Sequence, residues 1–173
     1  MQQIRIWQVG QSSIGEPKVE PLKEVGHAKA EDLLEDLLVR EPDLLMPNLT
    51  LVGRQTPAAG GALDLLGVDE EGRLVVFELK RGTLRREAVA QVIEYAASLN
   101  SMSADELAQH IAERSGRDGI EKIDDFPAWY GESFPDEEAD YTQPPRLALV
   151  GLGADESTRA MVSFLADSGV DIT

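Results

Sequence analysis

Asp64, Glu78 and Lys80 stand in the order Asp, thirteen residues, Glu-Leu-Lys, a pattern suited to metal-assisted hydrolysis of a phosphodiester. That reaction needs a water made nucleophilic, a phosphoryl oxygen drawn of charge and a stabilised leaving oxyanion, and Mg²⁺ or Mn²⁺ on hard oxygen ligands supplies all three. Asp64 and Glu78 are the candidate metal carboxylates, with the carbonyl of Leu79 completing the shell. Lys80 is the candidate for orienting or deprotonating the attacking water and offsetting developing negative charge. Without a cation, Asp64 and Glu78 at close range would repel and at least one would hold its proton more tightly. Gln91 and Tyr95, four apart on a predicted helix, share a face from which they can hydrogen-bond a carboxylate, the lysine or a phosphate. Glu31 and Glu35 lie one turn apart on an earlier helix, and Glu31 is the one assigned to the site. Arg54, Arg81, Arg85 and Arg86 are the candidate phosphate contacts.

These side chains can work together only if strands and helices carry them to one rim. Leu74 to Lys80 reads as a strand on which Glu78 and Lys80 project with Val76, while Val75, Phe77 and Leu79 turn to the core. The turn Asp69-Glu70-Glu71-Gly72 joins it to a strand over 62–68, so the two form a hairpin. A further strand over 49–55 precedes a loop at 56–61. Leu33, Leu34, Leu37 and Leu38 recur at helical spacing within 28–40, ahead of Pro42. A second helix spans 85–99 through Val89, Val92, Ile93, Ala96 and Leu99, and Ser103 with Glu106 forms a capping box for a third that runs to Arg114. Residues 116–145 are expected to hold a short helix with Phe126, Trp129 and Tyr130 inward, then an acidic loop at 136–140. A strand over 146–152, a helix over 156–167 and a strand start at 170–172 follow. The fold class is α/β: a mixed central sheet flanked by helices in a domain over 26–173, preceded by a strand at 4–9 and an arm within 1–25.

The chain has 173 residues, no cysteine and a net charge of −16. Thiolate catalysis, disulfides and cysteine metal sites are excluded. No stretch approaches the ~18 apolar residues of a membrane helix, so a soluble, cytoplasmic protein is expected. Phosphate affinity comes largely from Lys and Arg releasing counterions, so strong acidity opposes a general nucleic-acid surface. The cations beside the proposed site instead suggest a local basic patch.

Glu31, Asp64 in Gly61-Ala62-Leu63-Asp64, Glu78-Leu79-Lys80, and Gln91 with Tyr95 in Ala90-Gln91-Val92-Ile93-Glu94-Tyr95 together resemble the PD-(D/E)XK nuclease superfamily, in particular the nuclease domain of NucS/EndoMS-type and RecB-like endonucleases. The resemblance is close over residues 27 to 100. It implies a restriction-endonuclease-like fold and a divalent-metal-dependent DNA endonuclease in repair or defence. Leu63 stands where many such enzymes carry proline. NucS-type proteins also have a DNA-binding and dimerising domain before the nuclease module, so mismatch recognition is not carried over, and a separate DNA-binding partner or domain is expected. A homodimer would place one site on each strand of a duplex.

Plainer readings stand beside these. Glu78 and Lys80 could form a solvent-facing ion pair at a strand end, and Asp64 could cap a turn. Glu31 and Glu35 could serve only the helix dipole. The alternative function is a catalytically idle nuclease-fold module that binds nucleic acid or a protein partner. Another is an interaction module working through its acidic surface.

Overall fold

The computed structural model describes residues 8–11, 17–20, 27–58, 61–136 and 139–173. Strand β1 (Gln8–Gln11) pairs antiparallel with β2 (Pro17–Glu20), so the segment expected to be an arm carries a second strand. The rest of the strand expected at 4–9, residues 4–7, lies outside the described residues. Helix α1 (His27–Arg40) ends before Pro42, and a single 3₁₀ turn over Pro42–Leu44 leads on.

The hairpin around Asp69–Gly72 sits at the middle of the central sheet. Strands β3 (Thr50–Ala58), β4 (Gly61–Val68) and β5 (Leu74–Leu79) run antiparallel in succession, and β7 (Arg146–Val150) joins β5 in parallel, giving the order β3-β4-β5-β7. The sheet is therefore mixed, as expected. Both strands of the β3–β4 pair reach further into the predicted 56–61 loop than expected, down to an Ala58–Gly61 pairing. Between β5 and β7 lie β6 (Thr83–Leu84), α2 (Arg86–Asn100), α3 (Ala104–Arg114) and α4 (Phe126–Ser133). The chain closes with β8 (Gly153–Ala154), which pairs with β6, and α5 (Glu156–Asp167). The expected strand start at 170–172 is one bridge, Ile172 to Leu147, which covers the outer edge of β7.

Every residue of β5 is buried. This corrects the expectation that only one face of the strand meets the core. Leu74 and Val76 pack with Val89, Val92 and Tyr95 of α2, whereas Val75, Phe77 and Leu79 pack with Leu38 of α1 and with Ile120. A central strand covered on both faces reads as a continuous apolar run, so Glu78 is the exception within it. The capping box of α3 is present: the Ser103 hydroxyl accepts from the Glu106 amide while the Glu106 carboxylate takes the Ser103 N–H. α2 lies over β5 and β7 and against α5. Among the described residues no helix is long and apolar enough to cross a membrane.

Candidate active site

The β4–β5 ladder runs from Val68–Leu74 to Leu65–Phe77 and stops there. One step further along that register, Asp64 stands opposite Glu78, and directly opposed residues of an antiparallel pair share a face. In place of the next ladder bond, the Leu79 N–H donates to Asp64 Oδ2 at 2.7 Å. The strands thus part at the two carboxylates, with one of them holding the gap. Glu78 is 1% exposed, and Lys80 Nζ, on the same face of the strand, lies 2.5 Å from its Oε1. Both make further interactions. Burying a carboxylate costs several kcal/mol unless charge and hydrogen bonds compensate, and an ion-paired lysine at the rim supplies that compensation.

Beyond Lys80 the chain stays tied to its neighbour. The Lys80 N–H donates to Val150 O at 2.7 Å, Leu152 N–H to Gly82 O at 3.1 Å, and the short β6–β8 pair follows. Arg81, Arg85 and Arg86 are carried along this tethered segment. Arg85 is exposed at the N-cap of α2, Arg86 is exposed with its Nε 3.1 Å from Glu87, and Arg81 is half-buried. From α2, Tyr95 is buried and bonded to Gln91. Burial, then the charges of Glu78 and Asp64, push its phenol up from the usual range. Its hydroxyl also lies against Gly61 at the β3–β4 turn, where an added Cβ would approach it to 3.2 Å. The structure therefore brings Asp64, Glu78, Lys80, Gln91 and Tyr95 to one place.

Glu31 belongs to α1, but its side chain lies outside the described residues. The structure sets Glu35, the other candidate, beside the site. Glu35 is 6% exposed, and its charge is felt at Asp64. Arg54 differs from expectation. It donates to Glu35 Oε2 at 3.1 Å, to Asp36 Oδ1 at 2.8 Å and to Asp118 O at 3.2 Å, so its guanidinium is engaged inside the protein and is not held out toward phosphate. Of the histidines, His110 is half-buried with its charged form disfavoured by burial, and the side chain of His27 lies outside the described residues.

Burial is the largest influence on Asp64 and pushes its carboxyl above the ordinary range. The Leu79 N–H and Lys80 pull the other way, Glu35 adds to the rise, and a hydrogen bond from Gln55 opposes it. A bound cation would reverse that balance. Among the described residues no three or more His, Cys, Asp or Glu side chains gather so as to hold a metal ion. Of the described side chains, Asp64 and Glu78 are the carboxylates placed to hold a cation here, together with backbone or water oxygens. Two carboxylates with several retained waters suit the coordination habits of Mg²⁺, so the donor set fits.

Residues 30–114 match the family described as the Endonuclease NucS C-terminal domain. Endonuclease NucS of Pyrococcus furiosus is 28% identical over 104 residues, covering 60% of this chain and 39% of that protein. The Sulfolobus acidocaldarius enzyme of the same name is 35% identical over 60 residues, covering 35% of this chain and 24% of its own length. Among solved structures, an EndoMS–dsDNA complex superposes with a TM-score of 0.52 at 19% identity, covering 88% of this chain and 47% of that one. A repair endonuclease from Pyrococcus abyssi gives 0.51 at 21% identity, covering 89% and 49%. At these identities the two structures establish the fold alone. The chain spans less than half the length of each of these relatives.

Proposed function

We propose that the chain is the hydrolytic module of a divalent-metal-dependent DNA endonuclease, of the kind used in repair. The observation that carries this is the convergence of Asp64 and Glu78 across strands that part between them, with Lys80 paired to Glu78 and Tyr95 behind. The match to the NucS C-terminal domain supports it, and the dsDNA held by the structurally similar EndoMS supports DNA as the substrate. Asp64, Glu78 and the Leu79 carbonyl would hold Mg²⁺ or Mn²⁺, which when bound supplies charge neutralisation at the phosphoryl group and a more acidic water. Lys80, half-exposed at the rim, places an ammonium where negative charge develops and can move a proton at Nζ. Gln91 fixes the Tyr95 hydroxyl, which walls the site on its α2 side. Arg81, Arg85 and Arg86 would take flanking phosphates. A partner domain or chain would supply substrate choice.

The test is cleavage of labelled single-stranded, duplex, flapped and mismatched DNA at low salt with Mg²⁺, Mn²⁺ or EDTA. Cutting should require metal, and Asp64→Ala and Lys80→Ala should each lower it by about 10²-fold or more. Undiminished cutting by either variant would sink the assignment. No cutting by the parent under any condition, with no Mn²⁺ binding, would favour the idle-module alternative.

A further inference from the structure

Gln55 occupies a position that regular strand geometry would not produce. The register of β3 against β4 shifts between Leu51 and Gly53, after which Arg54 pairs with Leu65 and Thr56 with Leu63. Gln55 therefore stands across from Asp64, in a row that continues to Glu78 on β5. Successive strand residues point to opposite faces, yet Arg54 and Gln55 both reach Glu35: Arg54 Nε donates to Oε2 at 3.1 Å and Gln55 Nε2 to Oε1 at 2.9 Å. The break in alternation has a visible cause, a φ of 45° at Gln55. That left-handed conformation is uncommon for a residue with a long side chain and, in an ordered strand, is held by its surroundings. The same Nε2 lies 3.4 Å from Asp64 Oδ1.

We propose that Gln55 is a positioning residue of the hydrolytic site, its one amide nitrogen giving one N–H to Glu35 and the other to Asp64 so that both carboxylates are held without loss of their charge. The inference rests on the function proposed above. A primary amide suits this task because it carries two donors on a neutral nitrogen. A lysine or arginine at the same place would tie the carboxylates together but cancel the negative charge that attracts a cation. Arg54 already balances part of Glu35 from the other side, so the charge left facing the site is set by Asp64 and Glu78. The left-handed turn is what aims the amide inward.

The experiment compares Gln55→Ala, Gln55→Gly and Gln55→Asn with the parent and with Asp64→Ala. It measures Mn²⁺ binding by calorimetry without DNA, the kcat and KM of cleavage, and thermal stability. Gln55→Ala should weaken Mn²⁺ binding and lower kcat by about tenfold or more, the usual scale for groups that orient ligands, with KM nearly unchanged. Glycine accepts the left-handed conformation, so Gln55→Gly should keep the parent's Tm and still show the same loss. Gln55→Asn, with the amide on a shorter arm, should recover part of it. Parent-like Mn²⁺ binding and kcat in both Gln55→Ala and Gln55→Gly, or losses that follow Tm alone, would overturn the proposal while leaving the nuclease reading intact. A parent that neither binds Mn²⁺ nor cuts, and that Asp64→Ala leaves unchanged, would remove both.

Discussion

Asp64 is pulled in opposite directions. It is partly buried and close to Glu35, which favours the protonated form, yet it accepts the Leu79 N–H and faces Lys80, which favour the ionised form, and burial wins. A carboxyl whose pKa is raised on folding binds its proton more tightly in the native state, so its contribution to stability falls as pH rises through the window above the ordinary aspartate value. In metal-free protein, Asp64→Asn removes that cost while keeping an oxygen for the Leu79 amide. Its Tm at pH 7 should exceed the parent's by about 2–4 °C, the shift expected from roughly 1 kcal/mol in a domain of this size. The gain should vanish as pH drops below the ordinary aspartate range, and a Tm scan across pH checks it. A variant less stable than the parent at pH 7 would show that the carboxylate is better compensated than its burial suggests.

The β4–β5 hairpin holds the site from its far end. Its turn is closed by Asp69, which accepts from the Glu71 and Arg73 amides at 3.0 and 2.9 Å, and by Gly72 at φ 80°. Tyr130 on α4 donates to Gly72 O at 2.7 Å, and burial pushes its phenol up to about 12. Because the folded value is raised, stability is unaffected while pH stays below the usual tyrosine value of 10 and declines as pH climbs from 10 towards 12. Tyr130→Phe should flatten the alkaline limb of a stability–pH curve, at a cost near neutrality of about 1 kcal/mol for the lost hydrogen bond. Asp69 is fully buried, with Arg146 Nη1 at 2.6 Å, and Arg146 also meets Glu71 and Asp171 at 3.1 and 3.0 Å. The guanidinium therefore clamps the turn, the start of β7 and the final residues together. Arg146→Met strands a buried carboxylate and should cost about 3 kcal/mol in urea unfolding at neutral pH. The deficit should narrow on acidification as Asp69 takes up a proton.

At the scale of the whole molecule, a net charge of −16 opposes DNA, and the proposed phosphate contacts lie close together in the sequence. With Arg54 engaged by Glu35 and Asp36, the proposed contacts reduce to Arg81, Arg85 and Arg86. Neutralising three phosphates predicts a slope of about −2.7 in log K against log salt, and Arg85→Ala with Arg86→Ala should reduce it to about −1. Fluorescence anisotropy with a labelled duplex at several salt concentrations reads this directly. A slope unchanged in the double variant would place the DNA elsewhere on the surface.

Much of this was legible from residue order. The strand ending in Glu78-Leu79-Lys80, the helix bearing Gln91 and Tyr95, the capping box at Ser103 and the hairpin turn at Asp69 all follow from local rules: side-chain period, cap chemistry and turn residues act over a few neighbours. Long-range register and packing were not legible in the same way. Which face of β5 meets which helix, the approach of Glu35 to the site, the capture of Arg54 by α1 and the placement of Gln55 across from Asp64 depend on a bulge in β3 and on how α1 lies against the sheet. A one-residue shift in pairing reverses which side chains face each other, and no pattern within a single strand announces it. The residue types and their spacing thus determined what chemistry the chain is equipped for, while only the tertiary structure decided which neighbours hold those groups in place, because hydrogen bonds between distant segments form only once the sheet register is set.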